Sequence, residues 1–174
     1  MGFTIKLLCL MAIAAVAGCS HPSDAELLKR FRQHRGELEQ LVRMFEADKG
    51  LGRVGANFTR PEDPGRVGVS QQRVYEYRRL CGVVGAPDCI EGYDATFDRL
   101  YGQVEPGRTE AKNPIWIHVS MMGLAVSGSS KGFLYSTAPP FPVVPDLDRV
   151  SPSRSGTWLR HIEGPWYMYF DYED

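Results

Sequence analysis

The hydrophobic period of this chain changes once, near Pro114, and that change limits the folds open to it more than any other feature. Before it, apolar residues recur every three or four positions, as in helices that bury one stripe. After it they alternate, as in strands with two distinct faces. Helices first and antiparallel strands last predict an α+β domain, with N-terminal helices packed on one face of a C-terminal sheet of four to five strands. A single domain over residues 23–174 is expected, helical over 23–104 and sheet over 115–172. A chain of 174 residues can bury one sizeable core without a second domain.

The strongest helical pattern covers 23–48, where Leu27, Leu28, Phe31, Leu38, Leu41, Val42 and Phe45 share a face. Ser23 with Glu26 three residues later has the form of a capping box, each side chain satisfying an amide left open at the helix start. As one helix this stretch would be ~39 Å long at 1.5 Å per residue, and its stripe would pack on the core. Residues 51–68 read as an irregular connection with a short extended piece at Asn57, Phe58 and Thr59. Ser70 caps a second helix running to about Leu80, with Val74, Tyr77 and Leu80 on one face. Tyr93, Phe97, Leu100, Tyr101 and Val104 predict a third, shorter helix ended by Pro106 and Gly107.

Residues 115–119 are rich in β-formers, and Gly128, Ser129 and Ser130 predict the turn of a hairpin that returns through 132–136. A second hairpin pairs 158–162 with 166–170 across Glu163, Gly164 and Pro165. Between them, residues 137–156 contain five prolines and read as a long surface excursion, a natural place for a mobile or functional loop.

The first eighteen residues have the build of an export signal: one positive charge at Lys6, an apolar run from Leu7 to Val16, and small residues at Ala17 and Gly18. The run is too short to span a bilayer, which takes roughly 20 residues. Val16, Ala17, Gly18 and Cys19 resemble the bacterial lipobox, with Val16 in place of the commoner leucine. That resemblance implies a signal peptide over 1–18, diacylglyceryl attachment and palmitate-type acylation at Cys19, and a lipidated tether over 19–22. It implies a cell-envelope location with the membrane as first partner. Ser20, where an aspartate would suggest inner-membrane retention, implies the outer membrane, facing the periplasm. A capping box only four residues after the lipid predicts a short tether that keeps the domain near the membrane. Two or three acyl chains, at ~0.8 kcal/mol per buried CH₂, hold a protein almost permanently.

With Cys9 lost in the signal and Cys19 lipidated, Cys81 and Cys89 remain in an oxidising compartment and are expected to form a disulfide. A zinc site from these thiols with His118 and His161 lacks the close ligand pairs such sites use. Charge is balanced, 20 Lys and Arg against 21 Asp and Glu, and no basic run or Arg-aromatic stripe suits a nucleic-acid partner.

Catalytic signatures are sparse, and no cofactor or metal motif stands out. Lys131 sits in a Gly-Ser-rich stretch whose spacing fits neither a phosphate-binding loop nor a serine-lysine acyl enzyme, so an exposed turn lysine is expected. His161 and Glu163, two apart on a strand, would share a face and could serve an envelope hydrolase as acid and base. The C-terminal aromatics divide by alternation. Trp166, Met168 and Phe170 meet the helices, while Tyr167 and Tyr169 face solvent or the proline-rich loop. With Trp158, Arg160 and the loop from Thr137 to Gly156 they form the expected contact surface for a protein or glycan partner. Lys131, Gly132, Phe133, Leu134 and Tyr135, followed by residues 162–167, resemble a pattern in small uncharacterised bacterial envelope proteins, which implies no catalytic residue. The reading that follows is a lipid-anchored envelope protein that acts by binding, with a structural role in a larger assembly as an alternative.

Overall fold

The computed structural model describes residues 20–92, 114–124, 127–138, 141–151 and 154–174. The signal segment, Cys19 and the third helix expected over 93–104 lie outside the described residues. Among the described residues three α-helices, α1 (Asp24–Gln33), α2 (Arg35–Ala47) and α3 (Gln71–Val84), precede most of the sheet. The strands are β1 (Arg53–Val54), β2 (Thr59–Arg60), β3 (Ile90–Glu91), β4 (Ile115–Leu124), β5 (Ser127–Tyr135), β6 (Gly156–Glu163) and β7 (Trp166–Glu173).

The capping box forms as its spacing predicts. Ser23 Oγ accepts from the Glu26 amide at 3.3 Å, and Glu26 Oε2 accepts from the Ser23 amide at 2.7 Å. The single helix expected over 23–48 is instead two, broken at His34, whose φ of −123° and ψ of 26° are not helical. The apolar stripe skips six residues between Phe31 and Leu38, and Gly36 falls in that gap. With nothing buried to hold the turn, and a glycine that costs ~1 kcal/mol against alanine, the helix resets its direction there. Ser70 caps α3 by accepting from the Arg73 amide. The helix runs one turn past Leu80, to Val84, and ends on Gly85 at φ 66°. Cys81 lies in that last turn and is disulfide-bonded to Cys89.

The sheet has seven strands in the order β2-β1-β3-β4-β5-β7-β6, every neighbour antiparallel, more than the four to five expected. The surplus is β1, β2 and β3, each only two residues long and so too short to show alternation. The first long hairpin also differs. Gly128, Ser129 and Ser130 are no turn but lie within β5, paired with Gly123, Met122 and Met121. Gly123 and Gly128 allow this close crossing, since a Cβ on Gly123 would stand 2.4 Å from the Gly128 Cα. Glycines needed for strand approach look, in sequence, like turn glycines.

One face of the sheet carries the helices. Phe31 of α1 packs between Phe133 and Trp166, with ring centroids 6.0 and 5.5 Å away, in a core that includes Leu27, Leu38, Tyr77, Ile117 and Met168. On the other face Leu134, Leu159, Tyr167 and Tyr169 form a second cluster with Trp116. The described part of the proline-rich stretch, 141–151, is no loose excursion. It straps the free edge of β6, where the Val144 amide donates to Leu159 O at 2.7 Å and the Leu159 amide donates to Pro142 O at 2.8 Å. Covering an edge strand in this way prevents unwanted pairing. Leu147 then enters the helix-side core.

A buried charge cluster joins strap, helix and sheet. Lys131, expected as an exposed turn residue, is only 3% exposed. Its Nζ lies 2.8 Å from Asp24 Oδ1 and 2.6 Å from Asp148 Oδ1. Asp24 Oδ2 accepts from Arg160 Nη1 and from the Leu147 amide, each at 2.8 Å. Burial alone would raise the Asp24 carboxyl, but bonds from Lys131, Arg160 and Leu147 outweigh it and hold the group below its ordinary value. The carboxylates of Asp24, Asp146 and Asp148 converge, yet Lys131 already supplies the cation that such a group requires.

Candidate functional site

Alternation along β4 and β7 turns Trp116 and His118, with Tyr169, Asp171 and Glu173, away from the helices. Together with Arg53 of β1 and Glu91 of β3 they line a groove of about 500 Å³ on the outer face. That volume is within the range of small-molecule sites. Trp116 and Phe141 form one wall, their centroids 5.7 Å apart. Met121, 47% exposed, stands at the rim, and Arg53 donates to its Sδ at 3.7 Å while lying over the Phe58 ring.

The floor holds a chain of polar contacts. Arg53 Nη1 lies 2.9 Å from Glu91 Oε2, Glu91 Oε2 is 3.2 Å from His118 Nε2, and His118 Nδ1 is 2.6 Å from the Tyr169 hydroxyl. A carboxylate can only accept, so Nε2 carries a hydrogen, and in the neutral ring Nδ1 accepts from Tyr169. Burial raises the Tyr169 phenol well above its ordinary value, against a smaller opposing effect of a hydrogen bond with Ser130, so the hydroxyl stays protonated and donates. Both ring nitrogens of His118 are thus engaged within the protein, one by Glu91 and one by Tyr169. On the far wall Thr157 Oγ1 donates to Asp171 Oδ1 at 2.5 Å. Aromatic faces, thioethers, hydroxyls and carboxylates thus line the open groove.

The residues expected to form the contact surface do not come together. Tyr167 and Tyr169 do lie on the face away from the helices, but they are 7% and 0% exposed. Trp158 and Arg160 belong to the opposite face. Trp158 stacks on Phe170 at 6.2 Å and Arg160 serves the Asp24 cluster. His161 and Glu163 are separated as well. A bulge leaves Ile162 out of the pairing, so that His161 stands opposite Tyr167 and Glu163 opposite Trp166, on different faces. His161 Nε2 contacts Gly164 O at 3.1 Å and Glu163 pairs with Arg35. They form no acid-base pair.

His118 was visible in sequence as the polar residue alternating with Ile117, but as an isolated strand histidine it pointed to no partner. Arg53 and Glu91 gave no signal, because two-residue strands have no period. Asp171 and Glu173 alternate with Tyr169 and could have been placed on its face by the reasoning that sorted the aromatics. Among the described residues, no helix is long and apolar enough to cross a membrane. No family model, curated protein or solved structure matches this chain.

Proposed function

We propose that this is a lipid-anchored protein of the bacterial envelope, held through Cys19 at the outer membrane and facing the periplasm, that acts as a binding module. The groove on the outer face of the sheet receives the ligand or partner, a glycan or a protein segment. The observation that carries this reading is the open groove itself, where the aromatic faces of Trp116 and Phe141 and the thioether of Met121 stand at the wall and rim beside an ordered polar floor. The lipobox resemblance of residues 16–19 and the disulfide both suit an exported protein.

The contact surface therefore moves from Tyr167 and Tyr169, which are core residues, to Trp116, Met121 and Phe141 at the groove wall and rim. Recovery of partners or envelope glycans by the anchored protein and by a Trp116→Ala, Met121→Glu variant tests the reading. Loss of a specific component is expected in the variant, and in a Met121→Glu variant alone, which keeps Trp116 over the core and so keeps its thermal stability. Identical recovery from all of them would contradict it.

A further inference from the structure

The tether is docked. His21, two residues after the lipidation position, places Nδ1 3.0 Å from Ser120 Oγ and Nε2 2.7 Å from Ser129 Oγ, and its ring meets Phe170 edge-on at 5.7 Å. A bulge between His118 and Ser120 makes this possible, because it turns both Val119 and Ser120 toward the helix layer. Burial, and then the charge of Lys131, lower the His21 imidazole below its ordinary value, so that the ring sits neutral between two hydroxyls that can each donate or accept. Three residues further on, Asp24 is fixed by Lys131 and Arg160. Slack between lipid and fold is thus confined to two peptide steps, a reach of about 7.6 Å at most.

We infer that the face around His21, formed by the side of α1 that carries Glu26, Lys29, Arg30 and Gln33 and by the middle of β4, lies directly against the membrane surface, its partner being anionic lipid headgroups. This rests on the lipidation of Cys19 proposed above. The surface there has suitable chemistry. A cleft of about 460 Å³ beside the tether is lined by Lys29, Arg30, Gln33 and Glu26. Lys29 is exposed, and the Glu26 carboxylate is turned back onto the Ser23 cap. Basic side chains within a Debye length, about 8 Å in physiological salt, are drawn to anionic headgroups. The groove belongs to the other face of the sheet, so this placement leaves it open to the aqueous side. The anchor then sets orientation as well as location.

Energy transfer in vesicles tests this. The full lipidated chain, labelled at Gln33→Cys beside the cleft or at Arg43→Cys, is placed in vesicles of phosphatidylethanolamine and phosphatidylglycerol carrying a headgroup acceptor. Arg43 shares its surface with Tyr135, about 20 Å along β5 from Ser129 at 3.3 Å per residue. Strong transfer from position 33 and weak transfer from 43 is expected. A ten-residue Gly-Ser insertion between Ser20 and His21 leaves the docked ring intact and should bring the two labels to equal transfer. Lys29→Glu should lower transfer from 33 in anionic vesicles and leave it unchanged in phosphatidylcholine. Equal transfer from both labels in a protein that floats with the vesicles would overturn the orientation alone. A protein that fails to float would overturn the lipid anchor, and this inference with it.

Discussion

The two faces of the sheet are finished in different ways. On the helix face the buried carboxylates are answered inside the fold: Asp24 by Lys131 and Arg160, and Asp48 by Arg73 and Tyr77. On the outer face an equally ordered polar chain, from Arg53 to Tyr169, stops beneath an open groove rimmed by Trp116, Met121 and Phe141. Closed networks hold a fold in one arrangement, whereas an ordered floor under an open wall leaves surface for something else to cover. Stability should therefore respond most to changes in the buried network of the first face, and binding to changes at the exposed rim of the second.

The largest effect is expected at Lys131. Lys131→Ala leaves Asp24 buried without its main cation and should cost about 3 kcal/mol, toward the lower end for a buried pair because Asp148 can rehydrate. Urea unfolding measures it, and a loss below 1 kcal/mol would break the distinction between the faces. Removal of the disulfide by Cys81→Ala with Cys89→Ala should cost ~2.5 kcal/mol on the loop-entropy account, read from the same curves. Tyr169→Phe deletes the hydroxyl between His118 and Ser130 and should cost about 1–3 kcal/mol, since it strands a buried imidazole nitrogen. Trp116→Ala uncovers part of the cluster beneath it and should cost about as much as Tyr169→Phe, ~2 kcal/mol, while also removing binding, which Tyr169→Phe should leave in place.

Acid sharpens the contrast further, with the smallest effects. The folded state lowers both His21 and Asp24, so each contributes stability at higher pH that is lost as protons bind. His21 gives its share up as pH falls below its ordinary 6.5, and Asp24 does so only below its ordinary 3.8. Unfolding midpoints between pH 3 and 8 should show two steps, and His21→Gln should remove the upper one alone.

Local chemistry was legible in the sequence and distant pairing was not. The Ser23 and Ser70 caps, the Cys81–Cys89 bond and the second hairpin depend on neighbours in the chain, and they form where their spacing puts them. Alternation also sorted Tyr167 and Tyr169 from Trp166 and Met168 correctly. It could not say that the strap and Trp116 would cover those tyrosines. Lys131 looked like a turn lysine because its partner Asp24 is 107 positions away, and Arg160 looked free for the same reason. The groove was the least legible part. It gathers single residues from β1, β3, β4 and β7, two of them on strands too short to have a pattern.

Photo-crosslinking from the groove rim tests the central claim most directly. A photoreactive residue at Met121 in the full chain should give a discrete adduct in intact envelopes, and one at the exposed Val83 of α3 should not. Adding Trp116→Ala should abolish the Met121 adduct. Equal crosslinking from both positions, or a Met121 adduct indifferent to Trp116→Ala, would contradict the outer groove as the working surface.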